Sequence, residues 1–156
     1  MSHTSLTLQL VLSSGPAGPA GTVVLDNTSG ADVRVWRAGN QWGDTALSFE
    51  VWRRDDIRRL VRRPQVYTVN LPLSAVVPAG ATHEWPFDLS DGQWEADAPL
   101  DQLLVPGAQL VAVYDVPLSS EAMDHDVWTG QLRSDPVLLD ESRPSLPGPD
   151  VPRRVL

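Results

Sequence analysis

Three observations predict an all-β chain, an antiparallel β-sandwich of eight or nine short strands. Apolar and polar residues alternate over short runs, clusters of Gly, Pro, Asn and Asp separate those runs, and no long stretch keeps a helical period. At 156 residues, one such domain uses nearly the whole chain. The predicted division is a sandwich over 1–140 and a tail over 141–156, where ESRPSLPGPDVPRRVL has four Pro and almost no periodicity, the composition of a flexible segment.

Leu6, Leu8, Leu10 and Leu12 fall on one face of a first strand, with Thr7, Gln9, Val11 and Ser13 on the other. This apolar stretch is long enough for a signal peptide, but no Lys or Arg precedes it, so it reads as a strand and the chain as cytoplasmic. The Gly/Pro run at 15–21 predicts a loop. A second strand follows at 22–26, ended by Asn27, Thr28, Ser29 and Gly30, which suit a turn because Asn and Gly accept positive φ at little cost. Extended structure resumes at 32–36, breaks at 39–44, and returns with Leu47, Phe49 and Val51 opposite Ser48, Glu50 and Trp52.

The segment 55–63 admits two readings. Ile57, Leu60 and Val61 have helical spacing, two Asp precede them and Pro64 follows, as in a short helix. A hairpin turning at Asp55 and Asp56, with an Arg-rich return strand, suits the β patterns on both sides better, since so short a helix is marginal. Strands at 66–71 and 73–77 come next, then a turn at Pro78, Ala79 and Gly80. His83, Trp85, Phe87 and Leu89 line one side of a strand in which Pro86 lacks a ladder donor, which predicts an edge or a bulge. The segment after Asp91 and Gly92 is irregular as far as Leu104. The most apolar strand covers 108–116, and a last one covers 127–139 with a break at Asp135 and Pro136.

The segments VVLDNTSGADVRVW, LSFEVW, VVPAGATHEWPFDL, PGAQLVAVYDV and VWTGQLRSDPVLL follow the order of pieces in bacterial immunoglobulin-like sandwich domains. Over residues 5–139 the chain resembles, in outline, the small intracellular proteinase inhibitors of the BsuPI type. The resemblance implies an immunoglobulin-like fold and inhibition of a proteinase, and it places Tyr114 near a late-strand tyrosine that bonds backbone at a corner. It departs where the usual Asp-Gly hairpin is Asp55-Asp56, and no inhibitory loop matches residue by residue, so no functional position carries over.

The chemistry is sparse. There is no Cys, which removes disulfides, thiolate metal sites and a cysteine nucleophile. The only histidines are His3, His83 and His125. His83 shares a face with Trp85 and Phe87, and His125 lies between Asp124 and Asp126, whose side chains would leave opposite faces of a strand. Nucleophile-elbow, phosphate-loop and dinucleotide patterns are absent, so the expectation is no catalytic residue and no cofactor. Asp88, Asp91, Glu95 and Asp97 surround a Gly turn and could offer oxygens to Ca²⁺, yet their spacing fits no EF-hand; a solvated acidic loop is the plainer expectation, and no metal residue is assigned.

Charge is segregated. Arg53, Arg54, Arg58, Arg59, Arg62 and Arg63 stand against two Asp within eleven residues, whereas residues 84–126 carry ten acids and no base. The net charge of −8 opposes binding to nucleic acid or anionic membrane. The Arg cluster either pairs with the acidic segment or forms a docking surface for a protein, with Trp52 as its anchor. Two functions follow. The first is a non-catalytic protein-interaction module, with proteinase inhibition implied by the resemblance and Trp52, Arg53, Arg54, Arg58, Arg59, Arg62 and Arg63 as binding residues. The alternative is a carbohydrate-binding or Ca²⁺-dependent adaptor module that uses exposed members of the six Trp; Trp85 and Trp128 read as core, and Trp36, Trp42 and Trp94 as rim or loop. Edge strands near Pro86 and at the amino terminus could pair two copies.

Overall fold

The computed structural model describes residues 5–14 and 18–139. The tail at 141–156 and His3 lie outside the described residues. Within them the chain is mostly strand, and every ladder between its named strands is antiparallel. The strands are β1 (Leu6–Ser14), β2 (Pro19–Asn27), β3 (Val33–Trp36), β4 (Leu47–Arg53), β5 (Asp56–Arg62), β6 (Ser74–Val77), β7 (Thr82–Asp88), β8 (Trp94–Glu95), β9 (Gln109–Val116), β10 (Gly130–Arg133) and β11 (Val137–Leu138). That is eleven strands against the eight or nine expected, two of them only two residues long. Three short helices join them, α1 (Gln41–Ala46), α2 (Leu100–Leu103) and α3 (Ser120–Asp124).

One sheet has the order β1-β2-β7, a second β10-β9-β4-β5-β8, and a two-stranded ladder joins β3 to β6. Strands β10 and β11 lie on the same side of β9. Between them Ser134 takes over the ladder, its amide donating to Ala112 O at 2.9 Å and its Oγ accepting from Ala112 N at 2.9 Å. Pro136, which has no N–H to offer, falls in the gap. β7 pairs only with β2, so Pro86 sits on an edge strand as its missing donor requires.

The alternation of Leu6, Leu8 and Leu10 in β1, of Phe49 and Val51 in β4 and of Trp85 and Phe87 in β7 turns these residues into one core. Side chains of the two larger sheets meet there: Phe49 lies 4.7 Å from Phe87 between ring centroids, and Trp85 stacks on Tyr114 at 4.9 Å. Trp94 joins them at 5.1 Å from Phe49 and is fully buried, as is Trp36, so both are core and not rim. Trp128, read as core, is half-buried against Tyr114. Burial pushes the Tyr114 phenol above its usual range, and the Trp36 backbone beside the hydroxyl acts against that shift.

Several boundaries differ from expectation for physical reasons. The Gly/Pro run does not loop as far as Gly21, because β2 begins at Pro19 and Gly21 packs with its Cα hydrogen against the Val11 carbonyl, where a Cβ would clash. Residues 66–71 form no strand, and no backbone hydrogen bond among the described residues holds them in a ladder. The break at 39–44 is α1, started by Asn40, whose side chain accepts from Gly43 N at 3.0 Å. Ser119 caps α3 in the same way through Ala122 N.

Asn27 ties the end of β2 to the rest of the molecule. It is fully buried, and its Nδ2 donates to the carbonyls of Ala31 and Val77, each at 2.9 Å, and to that of Pro78 at 3.2 Å, while its Oδ1 accepts from Ser29 N and Ser29 Oγ. Asn27→Ala strands several of these groups away from water, so urea unfolding is expected to show a loss of about 3 kcal/mol. A loss below about 1 kcal/mol would show that the knot is dispensable.

Candidate functional site

The hairpin reading of 55–63 is the observed one. β4 and β5 pair with Arg53 opposite Asp56, so the turn consists of Arg54 and Asp55, one residue earlier than the expected Asp55 and Asp56. Moving the turn by one residue slides the register by two, which keeps each side chain on its face but changes its neighbour. Trp52 therefore stands opposite Ile57. Neither turn residue has positive φ, so this is not one of the primed turns that match strand twist. The Arg53 guanidinium closes the turn instead, bidentate on Asp56 at 3.0 and 2.8 Å.

The six Arg are divided among several roles. Arg53 and Arg58 both grip Asp56, and Arg58 also reaches Asp97 at 3.0 Å. Arg62 lies 4.8 Å over the ring of buried Trp94. Arg54, Arg59 and Arg63 are exposed and make no ion pair among the described residues. The acidic segment thus meets the cluster at Asp97 alone among these pairs, and the cluster does not neutralise it. Arg58 stands opposite Val51, on the core side of the hairpin, whereas Arg59 stands opposite Glu50 on the outward side.

The outward face carries a feature hidden in the sequence. Val111 and Val113 of β9 are buried on it, although the inner core lies on the other side of the sheet. Glu50 flanks Val111 from β4, Arg133 flanks Val113 from β10, and the two pair at 2.9 Å, so their ion pair spans the strand between them. Trp52 Nε1 donates to the same carboxylate at 3.0 Å, which lays the half-buried indole beside the pair. Ile57, next to it, remains 61% exposed. Ile57 was not among the expected binding residues, and the register that places it beside Trp52 is the signal that identifies it.

Other candidate chemistry is dispersed. His83 meets Trp85 edge-on at 4.8 Å between ring centroids, and its burial lowers its pKa, so it is a core-edge imidazole. His125 lies against Trp36 at 5.6 Å and has no carboxylate partner among the described salt bridges. Asp88 accepts from the Ser90 hydroxyl and amide, which hold its carboxyl below the usual range, and Asp91 accepts from Gln93 N. No three His, Asp or Glu converge in ligand geometry among the described residues. A hollow of about 340 Å³ beside α1 is walled by Trp36, Trp42, Arg59 and Asp115. A second, of about 410 Å³, lies between α1 and the segment after β5, where Tyr67 donates to Asp44 at 2.8 Å; burial, then that bond, pushes its phenol up to about 12. A scan against protein-family models, a search of curated proteins and a search of solved structures each returned no match.

Arg53, and after it Arg58, hold the Asp56 carboxyl below its ordinary value of 3.8. A depressed carboxylate stabilises the fold above that value and ceases to do so as pH falls through its lower native value. Asp56→Asn is therefore expected to unfold at lower urea than the parent at about pH 6, with the gap closing at about pH 2. A gap that is constant or widens on acidification would contradict the clamp.

Proposed function

We propose that this chain is a non-catalytic protein-binding module that docks an acidic partner surface through the outward face of the β4–β5 hairpin. The observation that carries this reading is the exposed Ile57 beside Trp52, flanked by Arg54 and Arg59, whose charges no described ion pair consumes. Aromatic and Arg side chains on a rigid strand pair suit a contact surface, because they bring large buried area and bidentate anion binding at little entropic cost. The partner supplies an apolar recess for Ile57 and carboxylates for the two guanidiniums.

An immunoglobulin-like sandwich is the architecture we assign to this module. Its support is strand order: β1-β2-β7 facing β10-β9-β4-β5 follows the A-B-E and G-F-C-C′ sequence of that topology. With this fold, the outline shared with BsuPI-type inhibitors makes an endopeptidase the partner class, gripped by the hairpin outside its catalytic cleft. The sugar-stacking alternative has less support. Trp36, Trp85 and Trp94 are buried, and Trp52 turns its polar edge into the Glu50 carboxylate.

The test is inhibition of a panel of purified endopeptidases by the full chain, measured from about 50 to 500 mM NaCl. The expected result is inhibition that weakens with salt, and a loss of about tenfold or more for Trp52→Ala and for the pair Arg54→Glu with Arg59→Glu, the exposed Arg pair leaving unfolding unchanged. Inhibition indifferent to salt and to these variants would overturn the hairpin surface. No inhibition across the panel would overturn the endopeptidase assignment.

A further inference from the structure

The hollow of about 410 Å³ between α1 and the segment after β5 has the size of a small-molecule site but not the usual apolar lining. Among the described residues no Leu, Ile, Val, Phe or Trp borders it, so an apolar ligand would leave the polar groups of its wall without partners. Those groups are tied to one another. Tyr67 donates to Asp44 Oδ2 at 2.8 Å, and Asp44 Oδ1 accepts from Gly39 N at 2.9 Å. Asn70 accepts from Gln41 N at 2.9 Å and donates to Gln41 Oε1 at 3.1 Å, and Gln65 bonds Gln93. Side-chain bonds thus hold the wall in place before a ligand arrives, which lowers the ordering cost of binding.

One part of the wall is cationic. Arg62 and Arg63 are consecutive, which inside a strand would send them to opposite faces. β5 ends at Arg62, however, and both side chains border the hollow. The Arg62 guanidinium lies 4.8 Å over the ring of buried Trp94, a contact that engages its charge and none of its five N–H donors. The arginines that donate side-chain hydrogen bonds among the described residues are Arg34, Arg53, Arg58 and Arg133, so the donors of Arg62 and Arg63 are not engaged there. Neither forms an ion pair among those residues. The net charge of −8 opposes a polyanion at long range, but exposed charges more than about 8 Å apart are screened at physiological salt, so the local pair governs a small anion.

The rest of the wall offers acceptors. Asp44 and Gln41 Oε1 have lone pairs to spare, and the Tyr67 phenol, pushed up to about 12 by burial and then by its bond to Asp44, keeps its proton at neutral pH and accepts through its own lone pairs. An inorganic anion would use the guanidiniums and leave these acceptors idle; a neutral sugar would do the reverse. We infer that the hollow binds a small polyhydroxylated anion, a sugar phosphate or a sugar acid, with its anionic group held by Arg62 and Arg63 and its hydroxyls donating to Asp44, Gln41 and Tyr67. The site lies at the opposite end of β5 from the Arg54 and Asp55 turn. It shares no residue with the docking surface and does not rest on that reading.

The experiment is calorimetric titration of the full chain at about 150 mM NaCl with hexose 6-phosphates, hexuronates, the corresponding neutral hexoses, inorganic phosphate and acetate, with amide-shift mapping of whatever binds. The expected result is a Kd of about 1 mM or tighter for at least one hexose 6-phosphate or hexuronate, and binding about tenfold or more weaker for its neutral hexose and for the simple anion. The shifts are expected within 41–45 and 62–70. Preference for the phosphate or for the carboxylate distinguishes the two sources of the anion. Arg63 is exposed, so Arg63→Gln is expected to weaken binding about tenfold with unfolding unchanged. Arg62→Lys keeps a cation over Trp94 but removes the planar fork, and the same loss is expected. Simple anions that bind as tightly as the sugar anions would overturn the hydroxyl-binding wall, and neutral hexoses that do so would overturn the Arg pair. No binding across the panel, or shifts confined to other residues, would overturn the inference. Arg54→Glu with Arg59→Glu is expected to leave this binding unchanged, so the docking surface and the hollow fail separately.

Discussion

The ring contact between Phe49 and Phe87 decides which way the hairpin faces. Phe49 belongs to β4 and Phe87 to β7, in different sheets, and their centroids are 4.7 Å apart with Trp94 closing the third side. Once Phe49 is buried there, strand alternation sends Val51 inward and Glu50 and Trp52 outward. Cross-strand pairing then carries the decision to β5, where Leu60 follows Phe49 inward and Ile57 follows Trp52 outward. An outward apolar residue on this hairpin is therefore the consequence of an inward aromatic one.

Polar side chains do much of the joining that hydrophobic burial leaves undone. Asn27, Asn40 and Ser134 are buried, and each bonds backbone groups that would otherwise be unpaired. Glu50 and Arg133 do similar work on the outside of the large sheet by bridging β9. Partly exposed, such a pair contributes at most about 1 kcal/mol, so its effect lies in fixing the position of the Trp52 indole more than in stability.

Much of the architecture was legible wherever period two and a turn residue coincided. The leucines of β1, the Phe49 and Val51 face, the edge position of Pro86 and the break at Pro136 all follow from rules local to the strand. Tertiary context governed the rest. Trp94 reads as a loop residue by its neighbours Gly92 and Gln93, yet it is buried because it completes the Phe49 cluster. Residues 66–71 have the composition of a strand, but their backbone joins no ladder among the described residues and they stay irregular. In the candidate site, Trp52 and the Arg residues were visible as residue types. Their separation into paired, stacked and exposed groups was not, because Asp56, Asp97 and Trp94 are assigned to particular Arg residues only by register. Ile57 was missed for the same reason.

The chain has no cysteine, so a single introduced thiol reports its own position without interference. The most direct measurement is the native-state reaction rate of a thiol reagent with the variants Val51→Cys and Ile57→Cys, each compared with its unfolded rate. The account predicts that Ile57→Cys reacts almost as fast folded as unfolded, while Val51→Cys is protected by about 100-fold or more, since its reaction requires opening of the sheet. Equal protection at the two positions, or a fast Val51→Cys beside a protected Ile57→Cys, would contradict the facing of β4 and β5 on which the proposed hairpin surface depends.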